Sequence, residues 1–440
     1  MTRSNHGRVE AFWNARPILS DLRTYAQAYR VSPFAVLGAA LARATCVVPP
    51  RVVLPAGFGG AEASLNLFIA LVGRSGQGKG GAENIANSFL DIDPEPETAM
   101  IGSGEGVSKL FAYKRNGKET GPEQVNIRDT VLFSVPEVDS LTALGDRTGA
   151  TLDSQLRSAW SGERLGFAYA DPTKTVRVER HRYRMSLVLG AQPLRSGPLL
   201  NDASGGMPQR FLWLPTWDEQ APKVAPVAPA RWSLGPWPVR EGRIIEGNAA
   251  LLEEKVEERE LCPLKIPKEV RRFLDEHRRK ALAMESSNSD IFSAHAPLGR
   301  LKVAAALMAL DSRHDTISLE DWRLAGVIEW QSNLVRVGIE TKLKEAQFHD
   351  DVARGASRGV QNVKTREVED TTTIERITEN VCEKLSEHGE QTVREITNRI
   401  AFRDRIRLPE VFDMLLRDGV IDTRMGRTNG KKTRLIRISE

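Results

Sequence analysis

The chain has 440 residues, 40% apolar and 27% charged, with a net charge of only +4. That length predicts two or three domains of ordinary globular composition, and the charge is too small to mark the whole chain as a polyanion binder. The three cysteines, Cys46, Cys262 and Cys382, share no metal-ligand spacing and are odd in number; with the scattered histidines they argue against a zinc site or a disulfide framework and fit a reducing, cytoplasmic setting.

The polar N-terminus lacks a signal-peptide core, and the apolar stretch 35–48 is broken by Arg43 and too short to span a bilayer, so no membrane partner is expected. Residues 1–50 are expected to be a helical N-terminal segment. Pro17 to Tyr29 carries apolar residues at helix spacing, and Ser32-Pro33 opens a second helix that Pro49-Pro50 ends. Such a segment packs on a core or mediates subunit contact.

The stretch LFIALVGRSGQGKGGAENIANSFL, residues 67–90, is an apolar strand, a glycine turn and a helix. Gly73 through Lys79 match G-x-x-x-x-G-K, so Gly73, Arg74, Ser75, Gly76, Gln77, Gly78, Lys79, Gly80 and Gly81 form a candidate nucleotide-binding loop. Glycines let successive N–H groups turn toward one phosphate chain, the helix N-terminus adds partial positive charge, and Lys79 is placed for the β- and γ-phosphates. The hydroxyl that normally follows the lysine and binds magnesium is missing, because that position is Gly80.

Residues 101–115 open a helix beside a glycine cluster around Glu105, a candidate for orienting an attacking water or else a solvated turn. In TVLFSVPEVDSL, residues 130–141, a buried strand runs from Thr130 to Val135 and is followed by Glu137 and Asp139. At the C-terminal end of a parallel strand, carboxylates are placed for a magnesium ion and a water, or else cap a helix. Residues 151–183 are expected to form a helix and a basic hairpin carrying Lys174, Arg177, Arg180, His181, Arg182 and Arg184, either facing DNA or solvated. Residues 185–192 form another buried strand ending in Gln192, a candidate phosphate sensor. Arg210 precedes an apolar strand and is a candidate arginine finger, in its own or a neighbouring subunit, against a structural salt bridge.

The proline-rich stretch 221–239 is a connector. The expected domains are thus an ATPase core over 51–240, a helical subdomain over 241–340, a linker, plain or in part helical, over 341–370 and a C-terminal domain over 371–440. In the subdomain, LGRLKVAAALMAL is a packing face from which Arg300 is a further candidate to reach the nucleotide. The C-terminal domain reads as three helices and a β-hairpin, a winged helix. Arg403, Arg405 and Arg407 precede its third helix, and Arg424, Arg427, Lys431, Lys432, Arg434 and Arg437 crowd the hairpin. Apart from Arg437 these are the candidate DNA-binding residues, with the third helix in the major groove, or else the winged helix binds only protein.

Taken in order, LVGRSGQGKG, GSGEGV, VLFSVPEVDSL, LRSAWSGERLGF, VLGAQP and GGMPQRFLWLP resemble a family of phage and plasmid replication proteins, over roughly residues 10–340. These are P-loop ATPases related to helicases, often fused to or encoded beside a primase–polymerase in actinobacterial mobile elements. The resemblance implies an α/β fold with a RecA/AAA-like P-loop NTPase core, ATP and Mg2+ as cofactors, DNA as partner, a homo-oligomeric ring and a separate primase–polymerase. It implies that Lys79 binds phosphates, that Glu137 and Asp139 serve metal and water, that Gln192 is the sensor and Arg210 the finger.

Overall fold

The computed structural model describes residues 3–58, 60–117, 121–145, 151–169, 171, 175–201, 206–238, 261–283, 295–428 and 431–439. The chain divides into two compact units, Met1–Glu345 and Ala346–Glu440.

The first unit begins with α1 (Arg3–Trp13), α2 (Pro17–Ala28) and α3 (Pro33–Val47). Strands β1 (Val52–Phe58) and β2 (Ala61–Ala63) lead to β3 (Leu67–Val72). Then come α4 (Lys79–Phe89), β4 (Leu90–Ile92), β5 (Thr98–Ala99) and α5 (Gly104–Lys109). A hairpin of β6 (Ala112–Gly117) and β7 (Gly121–Asn126) precedes β8 (Thr130–Val135), α6 (Val138–Gly145) and α7 (Leu152–Ser161). The unit continues through β9 (Arg184–Ala191), α8 (Gly197–Asn201), β10 (Phe211–Pro215), β11 (Trp232–Leu234) and β12 (Cys262–Pro263), then α9 (Lys268–Ala283) and α10 (Ala296–Leu310).

Its centre is a five-stranded sheet in the order β10-β3-β9-β8-β5, with every pairing parallel. Parallel strands covered on both faces read as continuous apolar runs, and LFIALV in β3 is buried at all six positions. Alternate residues feed two cores. Ile69, Leu71, Leu132, Val188 and Leu214 pack against α3, α4 and α10, while Phe68, Ala70, Phe133, Leu187 and Trp213 pack against α5, α6 and α7. The N-terminal segment packs into the core, where every residue of α3 except Val47 is buried. Buried Arg43 on α3 bonds Glu95 at 2.6 and 2.9 Å, Asn87 at 2.7 Å and the Leu90 carbonyl at 3.1 Å, fixing α3 to the far end of α4.

Of the helix and basic hairpin expected over 151–183, the helix is α7, while among the described residues the hairpin is reduced to one antiparallel bridge, Leu165 with Val178. Arg184 faces inward, fully buried, and donates to the carbonyls of Val48, Pro49 and Val52 at 2.8–3.0 Å. His181 is buried too, so these two belong to the interior; Lys174 lies outside the described residues.

The helix α11 (Leu319–His388) replaces three expected pieces, because it runs without a break through the stretch expected to be a linker. In the second unit it is followed by β13 (Gln391–Thr392), α12 (Val393–Arg399), a 3-10 turn at Phe402–Arg407, α13 (Leu408–Arg417), and the hairpin β14 (Ile421–Thr428) and β15 (Lys431–Ile438). Thr392 caps α12 reciprocally with Glu395. Among the described residues no helix is long and apolar enough to cross a membrane.

Candidate functional site

Because the five strands are parallel, their C-terminal ends share one edge. Three of them, β3, β9 and β8, lie side by side there and lead into the glycine loop, Gln192 and Glu137 respectively. The loop is pinned at its root, where Gly73 N–H donates to Ala191 O at 2.9 Å. Gly76 and Gly78 take φ of 78° and 75°, the left-handed region that glycine enters at no steric cost. The Gln77 side chain accepts from Arg74 N–H at 2.7 Å, and Lys79 Nζ folds back on the carbonyls of Gly73 and Arg74 at 3.2 and 3.1 Å. Lys79 is the first residue of α4. Residues Arg74 to Gly78 and Gly80 are exposed, leaving the concave side of the turn accessible.

The neighbouring strand comes close. A Cβ built on Gly190 in β9 would lie 1.9 Å from Pro136 O and 3.4 Å from Lys79 Cδ, so the end of β8 and the lysine meet over this glycine. Partial burial lowers the pKa of Lys79, and the charge of Glu137 opposes that shift. Glu137 is exposed and close enough to be felt by the ammonium. Asp139, in the first turn of α6, is instead engaged by Arg195, which follows Gln192 on a 3-10 turn. That hydrogen bond raises the pKa of Arg195, with Glu137 adding a smaller effect. Gln192 is half-buried, and its carbonyl accepts from Ser196 Oγ at 2.7 Å.

Sequence reasoning passed over Arg195 and Glu83. Arg195 is three residues beyond Gln192, and its relevance appears only when β9 lies beside β8. Glu83 is one turn into α4, where burial raises its pKa against a hydrogen bond from Ser134 of β8. Neither is signalled by a motif.

The donor set is poor for a magnesium ion, with Glu137 its one exposed carboxylate. Gly80 offers no hydroxyl, Asp139 is bonded to Arg195, and the Glu83 carboxyl is half-buried against Ser134. Among the described residues no group of three or more His, Cys, Asp or Glu could hold a metal. Nothing within 4 Å of a Cβ at Gly80 enforces the glycine.

Other candidates fall elsewhere. Glu105 is at the same edge, in the first turn of α5, where the helix N-cap Ser103 accepts from Gly106 N–H at 3.0 Å. Its carboxylate partners Tyr169, whose phenol is pushed up to about 12 by burial and this contact. Arg210 precedes β10, whose Phe211 pairs with Phe68 and whose Pro215 pairs with Val72. It is therefore at the opposite edge, roughly 20 Å from the loop at about 3.3 Å per strand residue. There it donates to Gly206 O at 2.6 Å, lies 5.5 Å from the Trp160 ring centroid, and lines a cavity of about 60 Å³ with Arg300, Glu329 and Arg336. Arg300 donates to Trp322 O at 2.9 Å and stacks on that indole. Within this chain neither arginine meets the phosphate loop; Gly205, in the same motif as Arg210, lies outside the described residues.

In the second unit the basic residues are unequal. Arg405 donates to Ile400 O and Asn398 O at 3.0 and 3.2 Å, and Arg407 pairs with Asp370 at 2.7 Å and Glu410 at 3.1 Å, so both hold local structure. Arg424 pairs with Glu390 at 2.5 Å, whereas Arg403 is largely exposed beside Asp404 at 3.7 Å. On the hairpin, Arg427 is directly opposite Lys432 and Met425 opposite Arg434, on the face whose base is buried Ile421 and Ile436. Like charges facing across a hairpin are destabilising, a cost that an anion would relieve. The solvent face of α13 carries Pro409, Glu410, Asp413 and Arg417, which is not the basic face expected for a helix in the major groove. Lys431 is described only as the register partner of Thr428. Compared with known proteins, the sequence matches no protein-family model and no curated protein.

Proposed function

We propose that this chain is an ATP-binding, DNA-directed replication protein of the helicase-like P-loop type, with a P-loop NTPase core in its first unit and a winged helix in its second. The observation that carries the reading is the convergence of the glycine loop, Gln192 and Glu137 on one sheet edge, with Lys79 and Glu137 close together. Loop N–H groups and Lys79 hold the phosphates, and their positive charge opposes the charge that develops on a transferred phosphoryl group. Glu137 is the carboxylate placed to orient a water, with Gln192 between it and the loop. Arg427, Lys432 and Arg434 supply phosphate contacts to DNA. A homo-oligomeric ring, with Arg210 serving a neighbouring copy, and a separate primase–polymerase partner extend the same proposal.

A second reading is a nucleotide-gated DNA-binding initiator with little turnover. Gly80 and the Asp139–Arg195 pair favour it, since both remove groups that magnesium-dependent hydrolysis uses. The two separate in an ATP hydrolysis assay with and without DNA, on wild type and Lys79→Ala. DNA-stimulated hydrolysis that disappears in Lys79→Ala supports the motor. Binding without stimulated hydrolysis supports the initiator, and absence of ATP binding by calorimetry sinks both.

A further inference from the structure

We infer that the glycine-loop site holds a nucleoside triphosphate through protein cations, Lys79 and Arg195, and that its affinity does not depend on a divalent ion. The inference rests on the nucleotide-binding reading above and concerns what neutralises the ligand there. A triphosphate carries roughly three to four negative charges, and phosphate loops ordinarily share that charge with magnesium held by the hydroxyl after the lysine. Here that position is Gly80, and β8 ends in Val135-Pro136 before its first carboxylate. Asp139 is committed to Arg195, and Glu83 is half-buried against Ser134.

The cation supply is correspondingly larger. Arg195 stands on the turn directly after β9, the strand between the loop strand and the acidic strand. Its guanidinium reaches Asp139 in the first turn of α6, while Lys79 lies across Gly190 from Pro136. Glu137, between Pro136 and α6, is felt electrostatically by both cations. The Arg195 side chain is 61% exposed and that of Asp139 36%, and an exposed ion pair of this kind is cheap to open. A terminal phosphate offers the guanidinium a charge-assisted, bidentate partner in exchange for Asp139. Arg195 thereby reports the third phosphate, and a diphosphate leaves it on Asp139.

Calorimetric titration of the full chain with ATP and with ADP, each in excess magnesium or excess EDTA, tests this. Wild type is expected to bind ATP equally in the two buffers, within about threefold. Arg195→Ala is expected to weaken ATP about tenfold or more and ADP little, with Arg195→Lys restoring part of the difference. Because Arg195 is exposed, an unchanged thermal melt confirms that these variants fold. Gly80→Ser, which meets no neighbour, is expected to introduce a preference for magnesium. Binding by wild type in magnesium that EDTA abolishes overturns the inference and leaves the phosphate loop intact. Equal loss of ATP and ADP in Arg195→Ala overturns the sensing role. No binding in either buffer overturns the nucleotide reading itself.

Discussion

Gly190 sits where two backbones meet, and its role shows how closely this edge is built. An added Cβ would lie 1.9 Å from Pro136 O, which is backbone and cannot swing away. Gly190→Ala should therefore part β8 from β9, costing about 1–3 kcal/mol in urea unfolding as overpacking does, and should weaken nucleotide binding together with stability. Unchanged stability would mean that the strands are not packed this tightly. The same scale explains the misread arginines. Arg184 lies in a run of basic residues and looks like part of a solvated face, yet burial forces its guanidinium onto carbonyls it can satisfy. Arg210 precedes its strand, and the end of a strand at which a residue falls decides its edge of the sheet.

At the scale of elements, the hairpin β14–β15 is the basic element of the second unit, and α13 is not. Arg427→Ala combined with Lys432→Ala should lower the slope of log affinity for DNA against log salt by about 2, close to one unit for each phosphate left without its cation. A fluorescence-anisotropy titration over a salt series reads this, and an unchanged slope would move the DNA interface off the hairpin tip. Glu410→Gln is expected to leave the slope alone. The long helix α11 carries the stretch expected as a linker, in part helical, as helix throughout. Residues 341–370 lack an apolar stripe, and Gly355 and Gly359 each cost about 1 kcal/mol in a helix interior. The remainder is rich in Lys, Glu, Arg, Gln and Ala, and those propensities carry the helix through.

At the scale of the molecule, the first unit buries an excess of basic groups. Burial, with Arg180, Arg184 and Lys302 nearby, lowers the His181 pKa to about 4. Burial, with Arg210 and Lys302, lowers that of His295 to about 4 as well. Lys302 is itself fully buried, donating to Asn66 O at 3.0 Å and to Trp160 O, and its pKa falls well below the usual ammonium value. Both imidazoles are neutral in the folded chain and take up protons only when it unfolds. Their contribution is complete above the unfolded value near 6.5 and is lost as pH falls toward 4, on the order of a few kcal/mol for the two together. Thermal melts from pH 7.5 down to about 4.5 should fall steeply, and a double His181→Gln, His295→Gln variant should flatten the curve; a wild-type melt independent of pH would refute this.

Local pattern was enough for the loop, the strand–loop–helix frame around it, the buried strands β8 and β9, and the order of helices and hairpin in the second unit. Each of these follows from short-range chemistry: glycine where the chain turns, continuous apolar runs where a strand is covered on both faces, alternation where it is not. The sheet order belonged to the tertiary structure alone, because nothing local dictates that β9 lies between β3 and β8. That order brings Glu137 toward Lys79, joins Arg195 to Asp139, and puts Arg210 on the far edge. Long-range strand pairing, not residue type, decides which charges meet.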